Sequence, residues 1–124
     1  MTHKLIIPGR LPTLNEYSAA ERTNAKYAAK LKKDTENMIA WLAITRLPGL
    51  EIKNPVHIDY LWIEKDKRRD LDNISFAQKF VQDALVKAGV LKNDGWKHVE
   101  GFSHSFAVDA KNPRVEVSIR EVVT

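Results

Sequence analysis

The chain contains no cysteine. That excludes disulfides, thiolate zinc sites and a cysteine nucleophile, and it is compatible with a reducing compartment. No stretch approaches the ~20 apolar residues of a membrane span. The opening MTHKLIIPGR has three consecutive aliphatic residues, too short a run for a secretory signal. A membrane role is therefore not expected, and the sequence reads as cytoplasmic. Glycine-rich phosphate loops and nucleophile elbows are missing too. His98 and His104 share a strand face but would lie roughly 20 Å apart at ~3.3 Å per residue, so they cannot share a metal. No small-molecule cofactor is expected.

What is present fits one domain: 124 residues, 44% hydrophobic, 29% charged. The net charge of +4 favours polyanionic partners, nucleic acid first. Its placement carries more. Arg22, Lys26, Lys30 and Lys33 fall at steps of four, four and three, one face of a helix. Such a stripe either follows a phosphate backbone or is a solvated face. A second run, Lys65, Lys67, Arg68 and Arg69, leads into an acidic pair. Tyr17, Tyr27 and Trp96 are candidates for base stacking, although Tyr27 reads better as core.

The periodicities predict an α/β (α+β) fold of order β-α-β-α-β-β, a mixed sheet of about four strands with two main helices. Strands are expected at 4–7, 55–64, 97–108 and 114–122, the last two as a hairpin around Ala110–Pro113. Helices are expected at about 20–46, with Tyr27, Leu31, Met38 and Leu42 inward, and at about 73–88. Asp72 stands at the N-cap position of the second helix and Gly89 past its end.

Asp70 and Asp72 flank Leu71 in RRDLDN. In extended chain, residues two apart point the same way. Two such carboxylates repel, and a hard cation such as magnesium, which prefers carboxylate and water oxygens, offsets that repulsion. Such an ion polarises a phosphodiester and activates water. On spacing alone a second reading stays open: Asp72 caps the helix and Asp70 pairs with Arg68 or Arg69. Asp94, in Asn93-Asp94-Gly95, is by itself a turn residue.

The stretch from Arg68 to Val99, RRDLDNISFAQKFVQDALVKAGVLKNDGWKHV, resembles the RusA-like Holliday junction resolvases, the crossover junction endodeoxyribonucleases of phages and prophages. That family shows an Asp-x-Asp-Asn start, a helix with a lysine and then Asp-Ala-Leu, and an acidic loop. The resemblance implies a homodimeric DNA endonuclease of recombination and repair. It would use magnesium, with manganese as a substitute, and would cut four-way junctions symmetrically. It makes Asp70, Asp72 and Asp94 the catalytic metal ligands and Lys79 the functional lysine. The loop PGRLPTLNEY matches the family's proline-rich loop and adds Asn15 to the DNA-binding candidates, beside Arg22, Lys26, Lys30, Lys33, Lys67, Arg68 and Arg69. The chain departs from the family in two places. The interval from Asn73 to Asp83 is about three residues longer, nearly one helical turn. Asn93 also stands where an acidic residue is common. Two alternatives are a non-cutting junction-binding protein and a nuclease of other branched DNA.

The three aspartates raise a question of reach. A continuous helix of about 16 residues spans roughly 24 Å. Residues 89–94 retrace at most about 20 Å when fully extended. That makes a site shared across a dimer as attractive as a sharp fold-back within one chain.

Overall fold

A computed structural model describes residues 1–123. The element order is β1 (Thr2–Pro8), α1 (Leu14–Thr23), α2 (Ala25–Arg46), β2 (Val56–Glu64), α3 (Leu71–Ser75), α4 (Gln78–Lys87), β3 (Val99–Val108) and β4 (Arg114–Glu121). The strands form one mixed sheet in the order β1-β4-β2-β3. The pair β2–β3 is parallel, and the other two pairs are antiparallel.

Alternation fixes the inward face of the sheet. Leu5 and Ile7, Ile58, Tyr60 and Trp62, and Val115, Val117 and Ile119 are all buried. Ile39, Leu42 and Ala43 of α2 and Phe80, Val81, Ala84 and Leu85 of α4 complete the core. Ile63, on the other face of β2, is also buried, as expected for a central strand.

The expected β3–β4 hairpin does not form, because β2 lies between the two strands. Residues 109–113 instead carry the chain over the end of β2, where the Asp109 N–H donates to the Glu64 carbonyl at 2.8 Å. Alternation sets which face of a strand is buried but not which strand is its neighbour. Here the Tyr60 and Trp62 rings stack on His104 of β3, at centroid distances of 5.2 and 6.0 Å.

Both long helices are divided. Helix α1 begins at Leu14, earlier than periodicity suggests. Thr13 and Glu16 form a capping box there, and each side chain satisfies the other's backbone N–H. Asn24 is extended, ends α1, and caps α2 through its side chain. The buried stripe of α2 runs through Ala28, Thr35, Ile39 and Leu42. Tyr27 is 59% exposed and Met38 is exposed as well, contrary to the expected stripe. The second helix breaks at Phe76–Ala77, where the bonds tighten to Ala77 N–H on the Ile74 carbonyl and Lys79 N–H on the Phe76 carbonyl. Phe76 there packs against Tyr17 and Phe80. Among the described residues no helix is long and apolar enough to cross a membrane.

Candidate active site

The segment after β2 is held by an arginine clamp. Glu64 ends β2 and is only 7% exposed. Its Oε1 accepts from Arg10 Nη2 at 2.9 Å, and Arg69 Nη1 stands 3.9 Å from the same atom. Arg69 also donates to Glu16 Oε1 at 3.2 Å. A buried carboxylate needs such partners, and two arginines supply them. Arg69 is thus paired with Glu64 and Glu16. Arg68 pairs with Asp66 at 3.7 Å, and the Arg68 backbone N–H holds the Asp66 carboxyl below its usual range.

These pairings decide one reading left open by spacing. Neither Arg68 nor Arg69 pairs with Asp70. Among the described residues, the Asp70 and Asp72 carboxylates have no cationic partner. Asp70, not Asp72, occupies the N-cap position of α3, and its side chain makes no capping bond. Among the described residues Asp72 Oδ1 accepts only from the adjacent Asn73 N–H, at 3.0 Å.

The extended RRDLDN that the spacing suggests does not form: Asp70 is extended at the N-cap, while Asp72 already lies in α3. Asp70 lines a cleft of about 620 Å³ with Glu64, Arg69, Ile74 and Phe106. Asp72 lines a second cleft of about 400 Å³ with Phe76, Gln78, Lys79 and Gln82.

Asp94 reaches this second region from its own chain. Helix α4 is ten residues long, not sixteen, and it ends in a Schellman reversal. The Val90 N–H donates to the Leu85 carbonyl and the Gly89 N–H to the Val86 carbonyl, both at 3.0 Å. Gly89 takes φ +81°, which a residue with a Cβ adopts poorly. Val90 and Leu91 are then buried, and the chain runs back along α4. Lys79 Nζ lies 3.3 Å from Asp94 Oδ2 and 3.1 Å from Asp83 Oδ1. Hydrogen bonds to Asp83 and then Asp94 raise its pKa, so it stays an ammonium ion at neutral pH. Lys79 thus pairs with Asp94 and lines the same cleft as Asp72.

Among the described residues no three acidic or histidine side chains lie close enough to hold a metal by themselves. The donors are nonetheless of the kind magnesium takes. That ion commonly binds through one or two carboxylates and keeps water and phosphate in its other positions.

The other DNA-binding candidates are spread out. The Asn15 backbone N–H donates to Asn73 Oδ1 at 2.9 Å, which brings the proline-rich loop onto the Asp-x-Asp-Asn turn. Lys26, Lys30 and Lys33 are exposed on α2, with Lys30 paired to Asp34. Arg22 belongs to α1 and is separated from them by the break at Asn24, so the four do not form one helix stripe. Lys67 is exposed, Trp96 is 98% exposed, and Tyr17 is packed against Phe76 and Phe80.

Sequence reasoning missed Glu64, Gln78 and Gln82. Glu64 ends an apolar strand, and a charged residue closing such a run is a signal for a buried partner. Gln78 and Gln82 interrupt the apolar stripe of α4 at a four-residue step, which put them on one face.

No curated relative matches the chain. A family model does, that of Endodeoxyribonuclease RusA, and it aligns with residues 8–120. The match runs from the end of β1 to the end of β4, across both clefts, and the chain belongs to the RusA endodeoxyribonuclease family.

Proposed function

We propose that this protein is a magnesium-dependent endonuclease that resolves four-way DNA junctions by paired, symmetric cuts in recombination and repair. It would act as a cytoplasmic homodimer of prophage type. The carrying observation is that, among the described residues, Asp70 and Asp72 lack cationic partners in a chain of net charge +4 whose neighbouring arginines pair with other carboxylates. Binding DNA alone gives no reason to point two unneutralised carboxylates at a polyanion. In this reading Asp70, Asp72 and Asp94 would be the ligands, drawn together from the two clefts when the ion binds, and manganese could replace magnesium. The bound ion would supply Lewis-acid polarisation of the phosphodiester and a more acidic water. Lys79, kept protonated by Asp83 and Asp94, offsets charge on the phosphate and does not act as a base. Asn15, Lys26, Lys33, Lys67 and Arg68 contribute to backbone contact.

The test is cleavage of a synthetic four-way junction with and without magnesium, compared with linear duplex and forked DNA. Symmetric magnesium-dependent nicks in the junction alone support the proposal. Binding without cleavage would leave a non-cutting junction protein, and equal cleavage of forks would leave a broader branched-DNA nuclease.

A further inference from the structure

A chain of five polar side chains runs through the interior beneath the second cleft. The Trp62 Nε1–H donates to His104 Nδ1 at 2.9 Å. His104 Nε2 meets Gln78 Oε1 at 2.9 Å. Gln78 Nε2 donates to Gln82 Oε1 at 2.6 Å, and the Tyr60 hydroxyl donates to the same oxygen at 3.0 Å.

The direction of this chain is fixed by its first member. An indole N–H can only donate. His104 Nδ1 must therefore accept, which leaves the proton on Nε2, and Nε2 must donate to Gln78 oxygen. Gln78 then offers its nitrogen to Gln82, whose oxygen is filled twice. What remains is the Gln82 amide nitrogen. It has no protein partner among the described residues, and it is not among the polar atoms sealed from solvent. Gln82 is 93% buried, from its 7% exposure, yet it lines the cleft that Asp72 and Lys79 also line. Asp94 lies near enough for its charge to act on the Tyr60 hydroxyl at this spot.

We propose that Gln82 is a further substrate-contacting residue, whose amide N–H groups, oriented by the chain from Trp62 through His104 and Gln78, hold a non-bridging oxygen of the DNA phosphodiester in the cleft beside Lys79. This rests on reading the chain as a DNA endonuclease that uses this cleft. A buried, pre-oriented donor costs no ordering when the anion arrives, which is the condition for a strong contact.

Gln82→Glu keeps an oxygen for Gln78 and Tyr60 and replaces the donors with a second acceptor. It tests the contact without emptying the core. Junction binding and kcat/KM are measured for wild type and variant, with native DNA and with DNA carrying one neutral methylphosphonate at the phosphate the wild type cuts. Thermal unfolding confirms that the variant is folded. The expected result is a loss of about tenfold or more on native DNA, shrinking to near nothing on the methylphosphonate. An equal loss on both substrates would place the effect in the fold or the general field, and wild-type behaviour of Gln82→Glu would remove the contact outright; either overturns the inference while the endonuclease reading stands. A wild type that neither binds nor cuts branched DNA overturns that reading and this one together.

Discussion

Lys79 Nζ and Asp94 Oδ2, fifteen residues apart in sequence, lie 3.3 Å apart within one chain. Hydrogen bonds to Asp83 and to Asp94 hold the Lys79 pKa above the ordinary 10.5. A raised lysine is fully charged below its ordinary pKa and is neutralised only as pH rises through the shifted one. Lys79→Ala should therefore slow cleavage by roughly a hundredfold, as loss of a charge-stabilising donor does. The deficit should be flat across about pH 6–9, well below lysine titration. A deficit that vanishes at the alkaline end of that range would show that Lys79 works as a base.

Asp70→Asn and Asp72→Asn should each abolish cleavage while junction affinity stays equal or rises. Each change removes ligand charge, and it also removes repulsion between carboxylate and phosphate. Neither aspartate has an ion pair to lose among the described residues, so the thermal midpoint should hold. Cleavage by both variants near the wild-type rate would sink the metal assignment.

Affinity for a junction should fall steeply with salt, since each phosphate contact changes the log–log slope by about 0.9. Lys26 and Lys33 stand on α2 without ion-pair partners among the described residues, whereas Lys30 is paired with Asp34. The pair Lys26→Ala with Lys33→Ala should flatten the slope by about two. An unchanged slope would make this helix face merely solvated.

Burial holds His104 below its ordinary pKa of 6.5. The folded state favours the neutral ring, which must accept from Trp62. A depressed group contributes fully above its ordinary pKa, and the contribution is lost as pH falls through the shifted value. The melting temperature of wild type should thus decline below about pH 6.5, and His104→Gln should remove part of that decline. Parallel curves for the two proteins would clear His104 of the effect.

Much of this was legible from short-range pattern. The inward faces of β1, β2 and β4, the apolar stripe through Ile74, Val81 and Leu85, and the terminating Gly89 all follow from local spacing. What stayed hidden depends on distant partners. Glu64 looks like the start of a charged loop until Arg10, 54 residues away, is placed on it. Gln82 looks like a surface glutamine until Tyr60 meets it across 22 residues. The false β3–β4 hairpin has the same origin, since β2 intervenes from far earlier in the chain. The different settings of Asp70 and Asp72, one extended and one helical, turn on one boundary, the start of α3 at Leu71, which sequence places only to within a few residues.

That boundary, with the break at Phe76–Ala77, also changes the expectation for how a site is assembled. The case for an aspartate borrowed across a dimer rested on a rigid helix of about 24 Å between Asp72 and Asp94. No such helix exists. From Lys79 to Lys87 α4 rises only about 12 Å. The seven residues 88–94 cover that distance easily, since extended chain spans up to ~3.5 Å per residue. Asp94 is consequently tied to Lys79, which lines a cleft with Asp72 of the same chain. Mixing inactive Asp70→Asn chains with inactive Asp94→Asn chains checks this. If each site draws its aspartates from one chain, every site in a mixed dimer lacks one of them, and cleavage should not return. A site shared between chains would leave one complete set per mixed dimer. Recovered nicking of a four-way junction, with mixed dimers verified by differential tagging, would therefore reject the within-chain site.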